Sequence, residues 1–144
     1  MEATKGKTGY KIVEVEKEVA ADSLLQVITR PYRGKMVLVD MWNTWCGPCM
    51  RAMKSLKPLK EETEKRLVYL YIVDETSPEG KWKVMIPDIP GIHCRISNEQ
   101  STALAKLYEY PGIPTYFVVN REGDISYKAT GFPGVEMLRN ELTK

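Results

Sequence analysis

Two runs of the chain, Met36 to Trp42 and Leu67 to Val73, are apolar on both alternating faces. Strands covered on both sides read this way, whereas a strand with one wet face alternates. Asp40 is the one charge in the first run. Between them, Gly47 to Lys65 sets Met50, Met53 and Leu56 along one stripe at helical spacing, with Pro58 expected to kink the helix. A strand, helix, strand unit with a right-handed crossover implies parallel pairing, and sites in such sheets lie at the carboxyl ends of the strands.

The flanking pattern extends this unit on both sides. Val13, Val15 and Val19 alternate with Glu14, Glu16 and Glu18, so Tyr10 to Val19 reads as an edge strand, preceded by a loose polar segment over residues 1–9. Asp22 and Ser23 are candidate N-caps for a helix carrying Leu24, Leu25, Val27 and Ile28 that stops at Pro31. After the second run, Asp74 to Gly80 reads as a loop. Pro78 starts a short helix through Trp82 to Ile86 that Pro87, Pro90 and Gly91 break. Ser97 and Gln100 form a capping box for a helix with Ala103, Leu104, Leu107 and Tyr108 on its apolar side, closed by Pro111-Gly112. Thr115 to Val119, the turn Asn120 to Gly123 and Ile125 to Ala129 make an antiparallel hairpin, and Val135, Leu138 and Leu142 mark a last amphipathic helix. The organisation is α/β. A tail and edge strand over residues 1–21 precede one domain over residues 22–144.

Composition narrows the classes. With 144 residues, 43% hydrophobic and 28% charged, the chain suits one domain with a full core. Its net charge of +2 comes from 21 basic and 19 acidic residues spread along the sequence, so no nucleic-acid patch or polybasic anchor stands out. No apolar run approaches the ~20 residues of a membrane span. Met1 to Gly9 lacks the apolar stretch of a signal peptide, which leaves the compartment open because a leader is removed from a mature protein. Three cysteines are too few for a disulfide framework.

The chemistry concentrates in Trp42-Asn43-Thr44-Trp45-Cys46-Gly47-Pro48-Cys49. Two thiols one helical turn apart can reversibly close a disulfide. If a helix starts at Gly47, Cys46 meets unpaired backbone N–H groups and the positive end of the helix dipole, which favour its thiolate. Cys46 is then the nucleophile and Cys49, deeper along the helix, the resolving thiol. The bland alternative is half a zinc site completed by His93 and Cys94, disfavoured because the pair opens a helix after a buried strand. Taken alone, Cys94 reads as a small buried hydrophobe, His93 as packing or surface, Glu75 as a solvated loop acid, and Trp82 with Met85 and Ile86 as satellite core. Asp40 also admits the reading of a structural acid bonded to nearby backbone.

The succession of Val39-Asp40-Met41-Trp42, Trp45-Cys46-Gly47-Pro48-Cys49, Ile113-Pro114-Thr115 and the Gly123 hairpin resembles the thioredoxin fold, from about Asp22 to Leu142. The segment Ser77 to Ile96, taken as an insert between the second core strand and the next helix, is similar to the ResA/TlpA-like extracytoplasmic subgroup. Gly91-Ile92-His93 and Tyr108 to Thr115 look like the thiol-disulfide oxidoreductases of Bacteroidetes.

The resemblance implies a thioredoxin fold, a central mixed sheet with helices on both faces, and a cis Ile113-Pro114 bond facing Cys46. It makes Asp40 a buried base for the Cys49 proton and Trp45, Gly47, Pro48, Ile113, Pro114 and Thr115 the substrate surface. It implies no cofactor beyond the Cys46-Cys49 disulfide and no metal. The partners would be disulfide-containing proteins and an upstream thiol-disulfide partner, with neither nucleic acid nor membrane insertion. The location would be extracytoplasmic, with cytoplasmic as the alternative. Gly47-Pro48 points towards a reductant of protein disulfides. The rival readings are an oxidant or isomerase, and a redox-silent, zinc-binding interaction domain.

Overall fold

The computed structural model describes residues 9–144. The loose segment expected at the start lies outside them, apart from Gly9. In chain order the elements are β1 (Tyr10–Ile12), α1 (Ala21–Thr29), β2 (Val37–Met41), α2 (Gly47–Thr63), β3 (Val68–Val73), α3 (Glu79–Met85), β4 (Gly91–Arg95), α4 (Asn98–Leu107), β5 (Thr115–Val119), β6 (Ile125–Thr130) and α5 (Val135–Leu142). The strands form one mixed sheet in the order β1-β4-β3-β2-β5-β6. β1, β4, β3 and β2 run parallel, while β5 is antiparallel to β2 and β6 to β5.

The two doubly apolar runs take the central places because only there are both faces covered. Every residue of β2 is buried. Met36, Leu38 and Trp42 point to one side with Tyr69, Tyr71, Tyr116 and Val118, beneath Cys49, Ala52, Leu56 and Leu59 of α2 and Leu138 and Leu142 of α5. Val37, Val39 and Met41 point to the other with Leu70, Ile72 and Phe117, beneath Leu24, Leu25 and Ile28 of α1 and Leu104 of α4. Each fully buried side chain of this kind contributes about 1.5–3 kcal/mol relative to exposure. Two such layers hold the sheet against the cost of the polar groups it carries. The outer strand β6 alternates between half-buried and exposed residues, as a strand with one wet face should.

Three local expectations are corrected. Of the edge strand expected over Tyr10 to Val19, only Tyr10–Ile12 forms, and the valine and glutamate alternation after it is not strand. The β1 ladder ends with the Val13 N–H donating to the His93 carbonyl at 2.9 Å. Beyond it the chain is a strap whose Val13, Val15 and Val19 pack on the α1 and α4 layer, held by Gln100 Nε2 donating to the Glu16 and Val19 carbonyls at 2.9 and 3.1 Å. Period-two patterning here records one-sided packing without a partner strand. Neither Asp22 nor Ser23 caps α1: Ala20 is the N-cap, without a side-chain bond, so both lie inside the first turn. Finally, the segment Ser77 to Ile96 contains α3, a 3₁₀ turn over Ile86–Asp88 and the unforeseen β4, which sits between β1 and β3.

Gly91 admits β4 to that place. It has φ +135°, and a Cβ there would lie 2.7 Å from the Tyr69 carbonyl oxygen and 2.9 Å from the Tyr71 ring. At α4, the Ser97 hydroxyl accepts from the Gln100 N–H and the Gln100 side chain accepts from the Ser97 N–H, so the capping box is formed in both directions.

Candidate active site

α2 begins immediately after Cys46, which is its N-cap, with Pro48 in the first turn where no backbone donor is needed. Cys46 and Cys49 are joined as a disulfide, their Cα atoms 5.3 Å apart. The Cys49 N–H donates to Cys46 Sγ at 3.2 Å, so an otherwise unpaired helix-terminal donor points at the sulfur proposed to carry charge. Cys46 is 4% exposed and Cys49 1%, while Trp45, Gly47 and Pro48 around them are exposed. The disulfide is thus set just below an exposed rim.

The turn before Cys46 is anchored by a buried polar network that sequence reasoning missed. Asn43 Oδ1 accepts from the Ser77 hydroxyl at 2.7 Å and the Asp74 N–H at 3.1 Å. Ser77 Oγ in turn accepts from the Thr44 N–H at 2.8 Å. The Asn43 carbonyl accepts the Cys46 N–H at 3.1 Å. These groups are buried, so each unmade bond would carry a desolvation penalty, and the network holds the turn in one conformation. Asn43, Thr44 and Ser77 as polar residues beside apolar runs were the available signal.

Asp40 lies under α2, 3% exposed, with Tyr71 of β3 and Tyr116 of β5 as its cross-strand neighbours and His93 of β4 beside Tyr71. Its Oδ1 has no hydrogen-bond partner among the described residues. Burial pushes its pKa up to about 7, against the pull of the Lys60 ammonium. Lys60 itself falls to about 8 because burial outweighs the opposing carboxylates of Glu64 and Asp40. Its Nζ stands 4.7 Å from the Tyr71 ring centroid and 5.7 Å from that of Tyr69, over both faces. A cavity of about 300 Å³, ample for water, is lined by Asp40, Leu38, Lys60, Tyr69, Tyr71 and Ile89. Lys60 was not singled out in the sequence, although it continues the helical stripe Cys49, Ala52, Leu56.

Thr115 pairs with Met41 at the carboxyl end of β2, which brings the Ile113–Pro114 peptide, cis in this structure, to the same end of the sheet as the dithiol. Ile113 is half-buried and packs against both layers. The Pro114 carbonyl accepts the Gly131 N–H at 2.8 Å. Thr115 is fully buried and its hydroxyl donates to the Gly112 carbonyl at 2.7 Å, so its side chain shapes this loop and presents nothing to a substrate.

The residues of the zinc alternative do not converge. His93 belongs to the α2 side, stacked on Tyr71 with centroids 5.1 Å apart, and its Nε2 donates to the Ile89 carbonyl at 2.6 Å. Cys94 faces the α1 and α4 layer, where burial pushes its thiol up to about 12. Among the described residues no three His, Cys, Asp or Glu side chains gather as a metal site. Glu75 exchanges bonds with Asn98: its Oε1 accepts the Asn98 N–H at 2.9 Å and its N–H donates to Asn98 Oδ1 at 3.0 Å, which clasps the start of α4. Trp82 is core under α3.

A thioredoxin-like family model matches residues 34–125. The chain belongs to the thioredoxin-like family. It is 24% identical over 112 residues to the thiol-disulfide oxidoreductase ResA of Bacillus cereus, covering 78% of this chain and 64% of that one. It is also 21% identical to the ResA of Bacillus thuringiensis, covering 94% and 83%. The chain therefore spans just under two thirds of the first relative's length. Among solved structures, the thioredoxin domain of a thiol-disulfide oxidoreductase from Bacteroides vulgatus superposes with a TM-score of 0.66 at 20% identity, covering 78% of this chain and 83% of that one. The thioredoxin fold is thereby shown, as is kinship with thiol-disulfide oxidoreductases; the paired cysteines of this thioredoxin-like chain are Cys46 and Cys49.

Proposed function

We propose that this thioredoxin-like chain reduces disulfides in other proteins, outside the cytoplasm. The observation that carries the reading is the Cys46-Cys49 pair across the first turn of α2, with a helix-terminal N–H on Cys46 Sγ. In the dithiol form the Cys46 thiolate attacks a target disulfide, forming a mixed disulfide and expelling one target thiolate. Cys49 gives up its proton, its thiolate attacks Cys46 Sγ, and the second target thiol leaves. The target gains two electrons and this chain keeps the Cys46-Cys49 disulfide. A dithiol partner must then reduce it. Asp40, buried beneath α2 with a pKa near 7 that lets it hold or release a proton at working pH, is the base for Cys49. Trp45, Gly47, Pro48 and the Ile113 backbone before Pro114 receive the target as an extended segment. Kinship with ResA proteins supports the extracytoplasmic assignment, and no helix among the described residues is long and apolar enough to cross a membrane. Insulin reduction tests the reading: Cys46→Ser should abolish turnover, and turnover retained in that variant would reject it.

A further inference from the structure

Trp45 is 58% exposed, yet its ring is anchored. Its indole N–H donates to Thr76 Oγ1 at 2.9 Å, and the Thr76 hydroxyl donates onward to Asp74 Oδ1 at 2.5 Å. Asp74 also accepts the Thr76 N–H at 2.9 Å and, on its other oxygen, the Ser101 hydroxyl at 2.8 Å. Burial alone would raise the Asp74 pKa, but the Thr76 and Ser101 donors outweigh it and hold the carboxyl below its ordinary value, so the chain of bonds ends on an anion. Bonds in such a chain polarise one another, and a charged acceptor makes them stronger than neutral ones. An exposed indole N–H could be served by water; what this anchor adds is orientation.

We propose that Thr76 is a specificity-determining positioning residue, which presets the Trp45 indole as a fixed plate beside Cys46 for an apolar, extended segment flanking the target disulfide. The partner class follows from the donor inventory. Indole has a single N–H, Thr76 occupies it, and so the ring offers an arriving segment its apolar face and no hydrogen bond. Exposed Pro48, two residues after Cys46, adds a second apolar surface next to it in the chain. A ring already held in its docking orientation loses less freedom when the target arrives, which strengthens binding without touching the sulfur chemistry. The inference rests on the reading of Trp45 as part of the docking surface and adds what holds it there.

Thr76 is exposed, so Thr76→Val keeps the shape and removes the hydroxyl, with its bond to Asp74, without disturbing the core. In insulin reduction Thr76→Val should raise KM roughly two- to tenfold with kcat within about twofold of the parent, because one pre-ordered side chain has been released. Thr76→Ser should restore KM, and the Trp45 indole N–H resonance should shift in Thr76→Val and return in Thr76→Ser. Trp45→Ala should raise KM at least as much as Thr76→Val. If Trp45→Ala raises KM and Thr76→Val does not, the positioning role is overturned while the docking surface stands. If Trp45→Ala leaves KM unchanged, the docking surface itself is rejected and the inference falls with it. A Thr76→Val variant that loses kcat in place of KM would also overturn it.

Discussion

The Cys49 N–H donates to Cys46 Sγ across the first turn of α2, at 3.2 Å. The bond separates two sulfurs that are only three residues apart in sequence: one receives a helix-terminal donor, and the other is 1% exposed beneath α2. In the reduced protein Cys46 should therefore react first with iodoacetamide, and Cys49→Ser should accumulate a stable mixed disulfide with a target. Mass spectrometry of the alkylated peptides checks this, and equal labelling of both thiols would remove the asymmetry.

Asp40 predicts opposite effects on rate and stability. The resolving step should rise with pH up to about 7, where the carboxylate becomes available, and flatten above; Asp40→Asn should slow it roughly tenfold or more and lose that rise. A stopped-flow mixed-disulfide assay reads both. For stability, the folded pKa lies above the unfolded one of about 4, so ionised Asp40 weighs against folding increasingly from pH 4 to 7 and constantly above. Asp40→Asn should thus be more stable by about 2–4 kcal/mol at pH 8, with the gap closing towards pH 4 in urea unfolding.

Lys60 sets where that titration falls. Lys60 on α2 is the cation that pulls on Asp40, with Tyr71 on β3 and Tyr116 on β5 as cross-strand neighbours and Glu64 acting on Lys60; Lys54, Lys57, Glu61 and Asp88 line the same cavity. Removing that pull in Lys60→Met should move the midpoint of the resolution profile above 7, whereas Lys60→Arg should leave it near there. An unmoved midpoint in Lys60→Met would show that the ammonium does not act on Asp40.

His93 should make the protein acid-sensitive. Burial lowers its pKa to about 4 from 6.5, with Lys60 adding to the fall and the Ile89 carbonyl opposing it. The folded state holds the neutral ring, so its contribution is complete above pH 6.5 and is lost as pH falls towards 4. Relative to His93→Phe, which keeps an aromatic against Tyr71, the parent should lose about 2–3 kcal/mol between pH 7 and 4. A pH-independent difference between the two would refute this.

Gly91→Ala should destabilise by about 2–4 kcal/mol, because φ +135° is strained for any Cβ and the added carbon meets the Tyr69 carbonyl. Chemical denaturation checks the loss; a variant of parental stability would mean that β4 can shift to make room.

Local chemistry was readable wherever cause and effect lie within a few residues. The central strands, the helix opening at Gly47, the Ser97 box and the Gly123 turn all follow from short-range periodicity or capping, and the two thiols declare themselves by spacing. The β4 strand escaped because five residues wedged between Pro90 and a capping box show no period of their own; their partners are Leu70 to Val73 and Tyr10 to Ile12, far away in the chain.

The same distance explains the site. That Cys46 and Cys49 could exchange electrons was determined by the sequence by itself, since a dithiol one helical turn apart needs no distant residue to close. Only the tertiary structure decided that Lys60 reaches the Tyr71 ring near Asp40, that Ser77 clamps Asn43 and Thr44 from 34 and 33 residues away, and that Thr76 holds Trp45. Hydrogen bonds and buried charges depend on which side chains the sheet order brings within 3 or 4 Å, and no periodicity along one segment carries that information.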